Sequence, residues 1–209
     1  WRLSMKISAI LLLLLLSCTK GSLTENPVIS AFAGELTVNG NSSKTGTLLK
    51  YGDIIKTGQN SFCEIKLNKL SIIKLSQNTE FVFNISETEN SFELHSGSLA
   101  GLTRKKFTKQ GTYYIKTPTG IAAIRGTAYF IHIESPDNTY FCVCNGTVAI
   151  KGETEETITS NHHKARRITK KPDNKITSDN NVPLLYHTDA DIDELAVKIG
   201  EKINWNNAY

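Results

Sequence analysis

The sequence has no apolar run long enough to span a lipid bilayer. Its longest such run covers residues 7–17 and is interrupted only by Ser8, whereas a transmembrane helix needs about 20 apolar residues. We therefore expect no membrane-spanning helix in this chain, and attachment to a membrane would require a different kind of anchor.

The residues around this run match the pattern of a bacterial lipoprotein signal peptide. Arg2 and Lys6 precede the run, and Leu15-Leu16-Ser17-Cys18 closes it with a small residue before a cysteine. The pattern predicts cleavage before Cys18 and acylation of that cysteine, with more than one acyl chain needed for stable anchoring. A cleaved signal peptide without lipid is the alternative. Because Thr19 stands where inner-membrane retention favours Asp, we expect the periplasmic side of a bacterial membrane, with the outer membrane favoured.

A large excess of charge of either sign is also missing. The formal net charge is +4, and removal of residues 1–17 leaves 22 basic and 20 acidic residues, or +2. A nucleic-acid-binding domain usually carries a clustered basic face. The charge balance and the expected periplasmic location therefore both argue against a nucleic-acid partner.

Recognisable catalytic motifs are lacking too. The sequence contains no nucleophile elbow, no paired catalytic carboxylates and no phosphate-binding loop. We therefore predict that the protein is not an enzyme. A hydrolase would require an open cleft lined by paired carboxylates.

What the sequence does contain is a series of short segments with alternating polar and apolar residues, separated by turn signals such as Gly52-Asp53 and Asn145-Gly146. Breaks roughly every 8 to 12 residues are typical of sandwiches and barrels. We predict an all-β fold, a sandwich or short β-solenoid of about nine to twelve short strands, with one C-terminal amphipathic helix. The clearest strand candidates are residues 48–55, 62–67, 70–75, 80–85, 91–94, 113–117, 128–134, 140–144 and 147–151.

These patterns divide the chain into five parts. Residues 1–17 are the signal peptide, 18–47 a lipidated tether and first strand, and 48–151 the β domain. Residues 152–187 are a polar segment with little periodicity, which predicts either disorder or attachment at specific points. Residues 188–209 contain the helix and a tail, because Ile192, Leu195 and Ile199 follow helical spacing after a Thr188 cap.

Two short motifs resemble the hallmark of the FecR-domain family. Thr117-Pro118 ends one predicted strand, and Arg125-Gly126-Thr127 begins another. The resemblance extends over about residues 48–150 and includes the segments Tyr51-Gly52-Asp53, Leu94-His95-Ser96-Gly97 and Asn145-Gly146-Thr147-Val148.

The resemblance implies an extracytoplasmic all-β domain. The best-known members relay an iron-siderophore signal from an outer-membrane transporter to a cytoplasmic sigma factor, through an anti-sigma region and a transmembrane helix. The sequence shows neither region, so it is similar to a lipoprotein member of the wider family, to which that relay does not carry over. We interpret the Arg-Gly-Thr motif as structural, with Gly126 permitting a tight backbone path and Arg125 pairing with a carboxylate or carbonyls.

Cysteine and histidine form a second group of candidate functional residues. Cys142 and Cys144 flank Val143 on a predicted strand, so their sulfurs leave the same face. A disulfide between them would be strained, because their Cα atoms lie near the upper limit of about 6.8 Å for such a bond. Together with one of His162 or His163 and with His187, they could hold one zinc or iron ion.

Two other interpretations of these residues stay open: half-buried core thiols beside exposed and capping histidines, or a thiol redox site. In an oxidising compartment the three thiols left after acylation cannot all pair within one chain. Cys63 is expected to point into the core with Ile65 and Leu67, and His95 to be exposed near a turn.

The sequence thus supports two classes of function. The first is a membrane-tethered, non-catalytic binding or signalling-scaffold module that contacts an envelope protein or glycan. The second is a metal-binding sensor or redox module that uses the Cys/His group.

Overall fold

The computed structural model describes residues 26–85, 90–104, 112–151 and 155–207. The predicted signal peptide and Cys18 lie outside these residues. The described residues form fifteen strands and one helix, which confirms the predicted all-β class with a C-terminal helix. The helix has ten residues, and no described helix is long and apolar enough to cross a membrane.

The bounds of these elements follow the chain in order. They are β1 (Val28–Ala33), β2 (Leu36–Val38), β3 (Asn41–Ser42), β4 (Asp53–Thr57), β5 (Phe62–Asn68), β6 (Ser71–Leu75), β7 (Glu80–Ile85), β8 (Asn90–Thr103), β9 (Tyr113–Thr117), β10 (Gly120–Ile124), β11 (Ala128–Ser135), β12 (Asn138–Lys151), β13 (Glu155–Ser160), β14 (Lys164–Lys170), β15 (Ile176–Asp179) and α1 (Asp189–Lys198).

Strand pairing defines two sheets that share β8 and β12. Sheet I runs in the order β1-β5-β6-β8-β11-β12-β14-β15. Sheet II runs in the order β3-β2-β4-β7-β8-β9-β10-β12-β13. All of these pairs are antiparallel except β8 with β9, which is parallel.

The two shared strands pass from one sheet to the other at a glycine with positive φ. Gly97 in β8 has a φ of 79° and Gly146 in β12 has a φ of 121°. Residues that carry a Cβ atom rarely adopt such positive φ values. At Gly146 an added Cβ would lie 2.7 Å from the carbonyl oxygen of Gly126. The prediction of a chain reversal at Asn145-Gly146 was therefore wrong: the chain bends there, and the two strands predicted on either side are one strand.

Five strands close into a small barrel. β8 pairs with β9, β9 with β10, β10 with β12, β12 with β11, and β11 with β8 again. Closure leaves no free edge within this circuit.

The Arg-Gly-Thr motif stabilises the crossing of β12 beside this barrel. The Thr127 hydroxyl donates a hydrogen bond to the carbonyl oxygen of Thr147 (2.7 Å) and accepts one from its N–H (3.2 Å). Gly126 is buried with a φ of 62°, and Arg125 is exposed. These contacts give the glycine and the threonine of the motif a structural role.

The Thr-Pro motif forms the tight hairpin between β9 and β10. Thr117 pairs with Gly120 across a loop of Pro118 and Thr119, and the Thr117 hydroxyl donates to the Gly120 carbonyl at 2.9 Å. Thr119 is buried and donates to the hydroxyl of Thr139 on β12 at 2.7 Å. The hairpin is thereby fixed to the strand that crosses between the sheets.

Two hydrophobic cores result. The first contains side chains from both sheets, among them Phe81, Phe92 and Tyr129. The second lies where helix α1 covers sheet I, with the helical residues Leu195 and Ala196 against residues of β6, β8, β11, β12 and β14. The helix starts as predicted, with Thr188 as its N-cap.

The stretch 152–183, predicted to lack regular structure, contains β13, β14 and β15. These strands were missed, and the total exceeds the predicted nine to twelve, because their composition is mostly polar. In β14, for example, Ala165, Arg166 and Ile168 are buried while the flanking residues are basic or hydroxylated. Buried Arg166 pairs with Glu156 at 2.7 Å, so charge pairing replaces part of the expected apolar pattern.

Candidate metal centre

Four of the predicted site residues meet between sheet I and the segment that leads to α1. Cys142 and Cys144 lie on β12, His163 in the turn between β13 and β14, and His187 just before the helix cap. Their sulfur and ring nitrogen atoms all lie within 4.8 Å of one another.

The two thiols are neighbours because side chains alternate along β12. Cys142 and Cys144 belong to the core beneath the helix, whereas Val143 between them points into the first core. Both cysteines are buried, and both are free thiols. Each sulfur therefore faces the same small volume.

His163 reaches this volume because its own backbone is in the left-handed region. Its φ is 45°, and its N–H donates a hydrogen bond to the carbonyl of Cys144 at 3.0 Å. Its Nδ1 lies 3.5 Å from the sulfur of Cys142, and its Nε2 lies 2.6 Å from Oδ1 of Asp189. Trp205 stacks on the ring, with centroids 5.2 Å apart.

His187 contacts the other thiol of the pair, and its ring packs edge-on against His163, with centroids 5.1 Å apart. Its Nε2 lies 3.3 Å from the sulfur of Cys144, and its Nδ1 lies 2.9 Å from the carbonyl oxygen of Leu185. The ring is stacked on Phe130, with centroids 4.3 Å apart and an interplanar angle of 10°. Leu185 is itself held by Tyr140, whose hydroxyl accepts from the Leu185 N–H at 3.1 Å.

Each of the two imidazoles thus has one nitrogen facing a sulfur and the other held by an oxygen. A carbonyl oxygen can only accept a hydrogen bond, so Nδ1 of His187 donates to Leu185, and Nε2 is the nitrogen that could bind a metal ion. Asp189 has the same effect on Nε2 of His163. This arrangement of outer hydrogen bonds is typical of histidines that bind metal ions.

The spacing of the donor atoms fits a tetrahedral ion. Zinc–sulfur bonds of about 2.3 Å and zinc–nitrogen bonds of about 2.0 Å place neighbouring sulfur and nitrogen ligands about 3.5 Å apart. The two sulfur–nitrogen distances are 3.5 Å for Cys142 with His163 and 3.3 Å for Cys144 with His187. The four side chains therefore suit a Cys₂His₂ zinc site.

His162 does not belong to this set. Its Nε2 binds Oδ2 of Asp189 at 2.9 Å, and 52% of its side chain is exposed, against 8% for His163. Of the two adjacent histidines, only His163 faces the thiols. His162, His163 and Asp189 form a second, more exposed group, but the inner nitrogen of His163 already faces Cys142.

Asp189 was not predicted as part of the site. The sequence marks it as an acidic residue at the start of a helix, where it interacts favourably with the helix dipole. Its position two residues after His187 is the only signal that could have indicated a contact with the site.

The electrostatics of the thiol pair favour a cation. The hydrogen bond with Cys144 lowers the pKa of Cys142, despite burial, and His163 and His187 lower it further. Burial raises the pKa of Cys144 well above its ordinary value. Burial alone would lower the pKa of His163, but its hydrogen bonds with Cys142 and Asp189 raise it. The pair therefore readily holds one thiolate, the form that binds metal ions.

The third described cysteine lies apart from this site. Cys63 is buried in the first core with Ile65 and Leu67, as predicted. Burial, helped by the Glu64 carboxylate, raises the pKa of Cys63 to about 12. A thiol of this kind is a packing residue. His95 is exposed and pairs with Glu80 and Glu93.

Elsewhere, a groove of about 480 Å³ lies on sheet II, on the strands β9, β10 and β12. Tyr114, Ile121 and Lys116 are among its lining residues, and Glu155 is the one carboxylate among the described residues that line it.

Fold and site together define an all-β domain of two sheets joined by shared strands, with a thiol–imidazole cluster at the edge of a C-terminal extension. Residues 53–149 match the family model described as FecR protein, which confirms the predicted resemblance to FecR-domain proteins over this part of the chain. The match includes Cys142 and Cys144 but ends before His163 and His187. The cluster thus joins the matched region to the chain that follows it.

Solved structures provide a more distant comparison. Two crystal structures of a "putative anti-sigma factor" from Parabacteroides distasonis ATCC 8503 are similar to this chain, each with 13% sequence identity and a TM-score of 0.48. The similarity covers 61% of this chain and 59% of the other chain. No curated protein matches the sequence.

Proposed function

We propose that this protein is a non-catalytic, extracytoplasmic FecR-domain module that binds one zinc ion through Cys142, Cys144, His163 and His187. The observation that carries the proposal is the convergence of these four donor atoms within 4.8 Å. The outer hydrogen bonds of both imidazoles add to it, because they fix the tautomers that metal binding needs. Zinc is favoured over iron because two thiolates and two imidazoles in tetrahedral spacing are a common zinc set.

The proposed site is closed, and this supports a structural or sensing role. Four protein ligands complete a tetrahedral shell, whereas catalytic zinc keeps one position for water or substrate. Both cysteines and His187 are buried, so a substrate has no path to the ion. The protein then acts by contact with a partner, in keeping with the regulatory character of FecR-domain proteins.

We propose further that the module is held at the periplasmic face of a bacterial membrane by acylation of Cys18. The pattern of residues 2–18 supports this anchor. An envelope protein or glycan is the expected class of partner, and the groove on sheet II, with Tyr114 and Ile121 exposed in it, is a surface available for such contact.

Metal analysis tests the zinc proposal directly. The full chain, purified under reducing conditions with zinc present and then dialysed, should contain one zinc ion per molecule by mass spectrometry of the metal. The double variant Cys142→Ser/Cys144→Ser should contain none. The variant His162→Ala should keep the zinc, because His162 faces Asp189 and not the thiols.

A wild-type protein without stoichiometric metal under these conditions would overturn the proposal. Partner binding separates the two functional classes: if the double cysteine variant keeps full affinity for its partner, the contact surface works independently of the metal site.

A further inference from the structure

The four proposed ligands come from three separate parts of the chain. β12 supplies both thiols and the β13–β14 turn supplies His163, and both of these parts are built into the sheets. His187 alone comes from the chain after β15. A metal ion at this position would therefore connect the sheets to the C-terminal extension, which we define as residues 180–207.

Strand pairing does not hold this extension. Beyond β15, no residue in the described part of the chain belongs to a strand. Side chains attach it instead: Asn145 donates to the carbonyl oxygens of Asn204 and Asn207 at 2.9 and 3.0 Å, and Arg104 pairs with Glu201 at 2.8 Å. Asn145 is fully buried, and Lys198 of α1 pairs with the buried carboxylate of Glu64, so these polar contacts hold the extension together with the apolar contacts of α1.

A second connection runs from the site to the start of the helix. His163 binds Asp189, and Asp189 is the first residue of α1. An ion bound to Nδ1 of His163 would fix the ring and strengthen this hydrogen bond through its other nitrogen. The site is thus linked to the extension twice, through His187 directly and through Asp189 indirectly.

On the basis of the proposed function, we infer that the metal ion is a latch that fastens the C-terminal extension over sheet I, and that its removal releases the extension. Release would uncover the face of sheet I that α1 now covers. That face presents Ile72, Leu102, Phe130 and Tyr140, each of them at most 4% exposed.

The uncovered face would be an exposed apolar patch. Metal occupancy would then decide how much of the time the chain's own helix covers sheet I. The apolar contacts of Leu195 and Ala196 oppose release, so the latch shifts an equilibrium between the two states.

Hydrogen exchange of the full chain, measured by mass spectrometry with and without zinc under reducing conditions, tests the latch. After chelation, peptides from residues 180–207 should exchange at least about tenfold faster, because they open locally. Peptides from residues 80–85 and 113–117, which belong to sheet II and whose buried apolar residues pack in the first core, should keep their rates. Binding of an apolar dye should increase in parallel.

Two variants sharpen the test. His187→Ala, studied with zinc present, should show the fast exchange of the chelated wild type in residues 180–207, because the direct link is lost. His95→Ala should keep the slow exchange, because His95 is exposed and pairs with Glu80 and Glu93 of sheet II.

The outcomes separate the latch from the proposed function. If zinc binds but its removal leaves exchange in residues 180–207 unchanged, the latch is overturned and zinc binding stands. If removal speeds exchange equally throughout the chain, the ion supports the whole fold, and the latch is again overturned. If no zinc binds, the proposed function itself fails.

Discussion

At the scale of single residues, the most informative contacts are those that orient a ring. His162 and His163 are adjacent in the sequence and both bind Asp189, but only His163 also faces a sulfur. The difference comes from the left-handed backbone of His163, which no sequence pattern reveals. Prediction could therefore reach the pair of histidines but could not choose between them.

Asp189 provides a test at this scale. The variant Asp189→Asn should weaken zinc binding by about 10- to 100-fold, as is usual when the outer partner of a metal-bound histidine is changed. Competition with a chromophoric chelator would measure the affinity. Cobalt substituted for zinc should still show the absorption bands of a tetrahedral ion, because all four ligands remain.

Asp193→Asn is the matched control, since Asp193 lies on the same helix and contacts Trp205 but none of the four ligands. Equal affinities for the wild type and Asp189→Asn would show that Asp189 does not orient His163.

At the scale of elements, the segment before α1 is joined to sheet I by a charged cluster. Arg167 on β14 donates two hydrogen bonds to Glu134 on β11, at 2.6 and 2.8 Å, and the Tyr186 hydroxyl donates to the same carboxylate at 2.8 Å. The hydrogen bonds with Arg167, the largest influence, hold the pKa of Glu134 below its ordinary value.

This pKa shift predicts a dependence of stability on pH. The folded-state pKa of Glu134 lies below the unfolded value of about 4.3, so its stabilising contribution is complete above that pH and is lost as the pH falls through the folded-state pKa. The variant Glu134→Gln should therefore be less stable than wild type at pH 7 but closer to it at pH 3. Urea unfolding of both proteins would measure the difference in their free energies of unfolding at each pH. A chelator keeps both proteins free of metal, so that loss of a bound ion at low pH does not contribute to the result.

Glu155→Gln serves as the control, because Glu155 is exposed on β13 and its substitution should leave stability nearly unchanged at both pH values. A constant difference between Glu134→Gln and wild type from pH 7 to pH 3 would contradict the expected role of the carboxylate.

The elements also show what the sequence could predict. Strands with clear alternation, such as β7 and β9, have the predicted bounds, and the helix was found from its spacing and cap. β13, β14 and β15 were not, because they bury few apolar side chains. The thiol pair followed from alternation alone, whereas its histidine partners depend on contacts between distant parts of the chain.

At the scale of the whole molecule, the sequence leaves open whether the strands form a sandwich or a solenoid. The structure answers with two sheets joined through β8 and β12. Gly97 and Gly146 carry these strands across, but in sequence they look like ordinary turn residues. The family motif was the better guide at this scale, because it depends on local hairpin geometry that the structure retains.

Anchoring gives the prediction for the intact protein in a cell. The wild-type chain should be found in the membrane fraction and should incorporate labelled fatty acid, because acyl chains on Cys18 supply apolar area for insertion. Cys18→Ala should lose the label and leave that fraction, whereas Cys63→Ala, which changes a buried core thiol, should keep both. A chain that stays in the cytosol with residues 1–17 attached would contradict the anchor.

The shared strands couple the unfolding of the two sheets. β12 pairs with β11 and β14 at one end and with β10 and β13 at the other. If one sheet unfolds, the shared strands lose their order, and the other sheet loses the hydrogen bonds that it makes with them. Unfolding should proceed as one cooperative transition, and no cut between the sheets would yield two stable fragments.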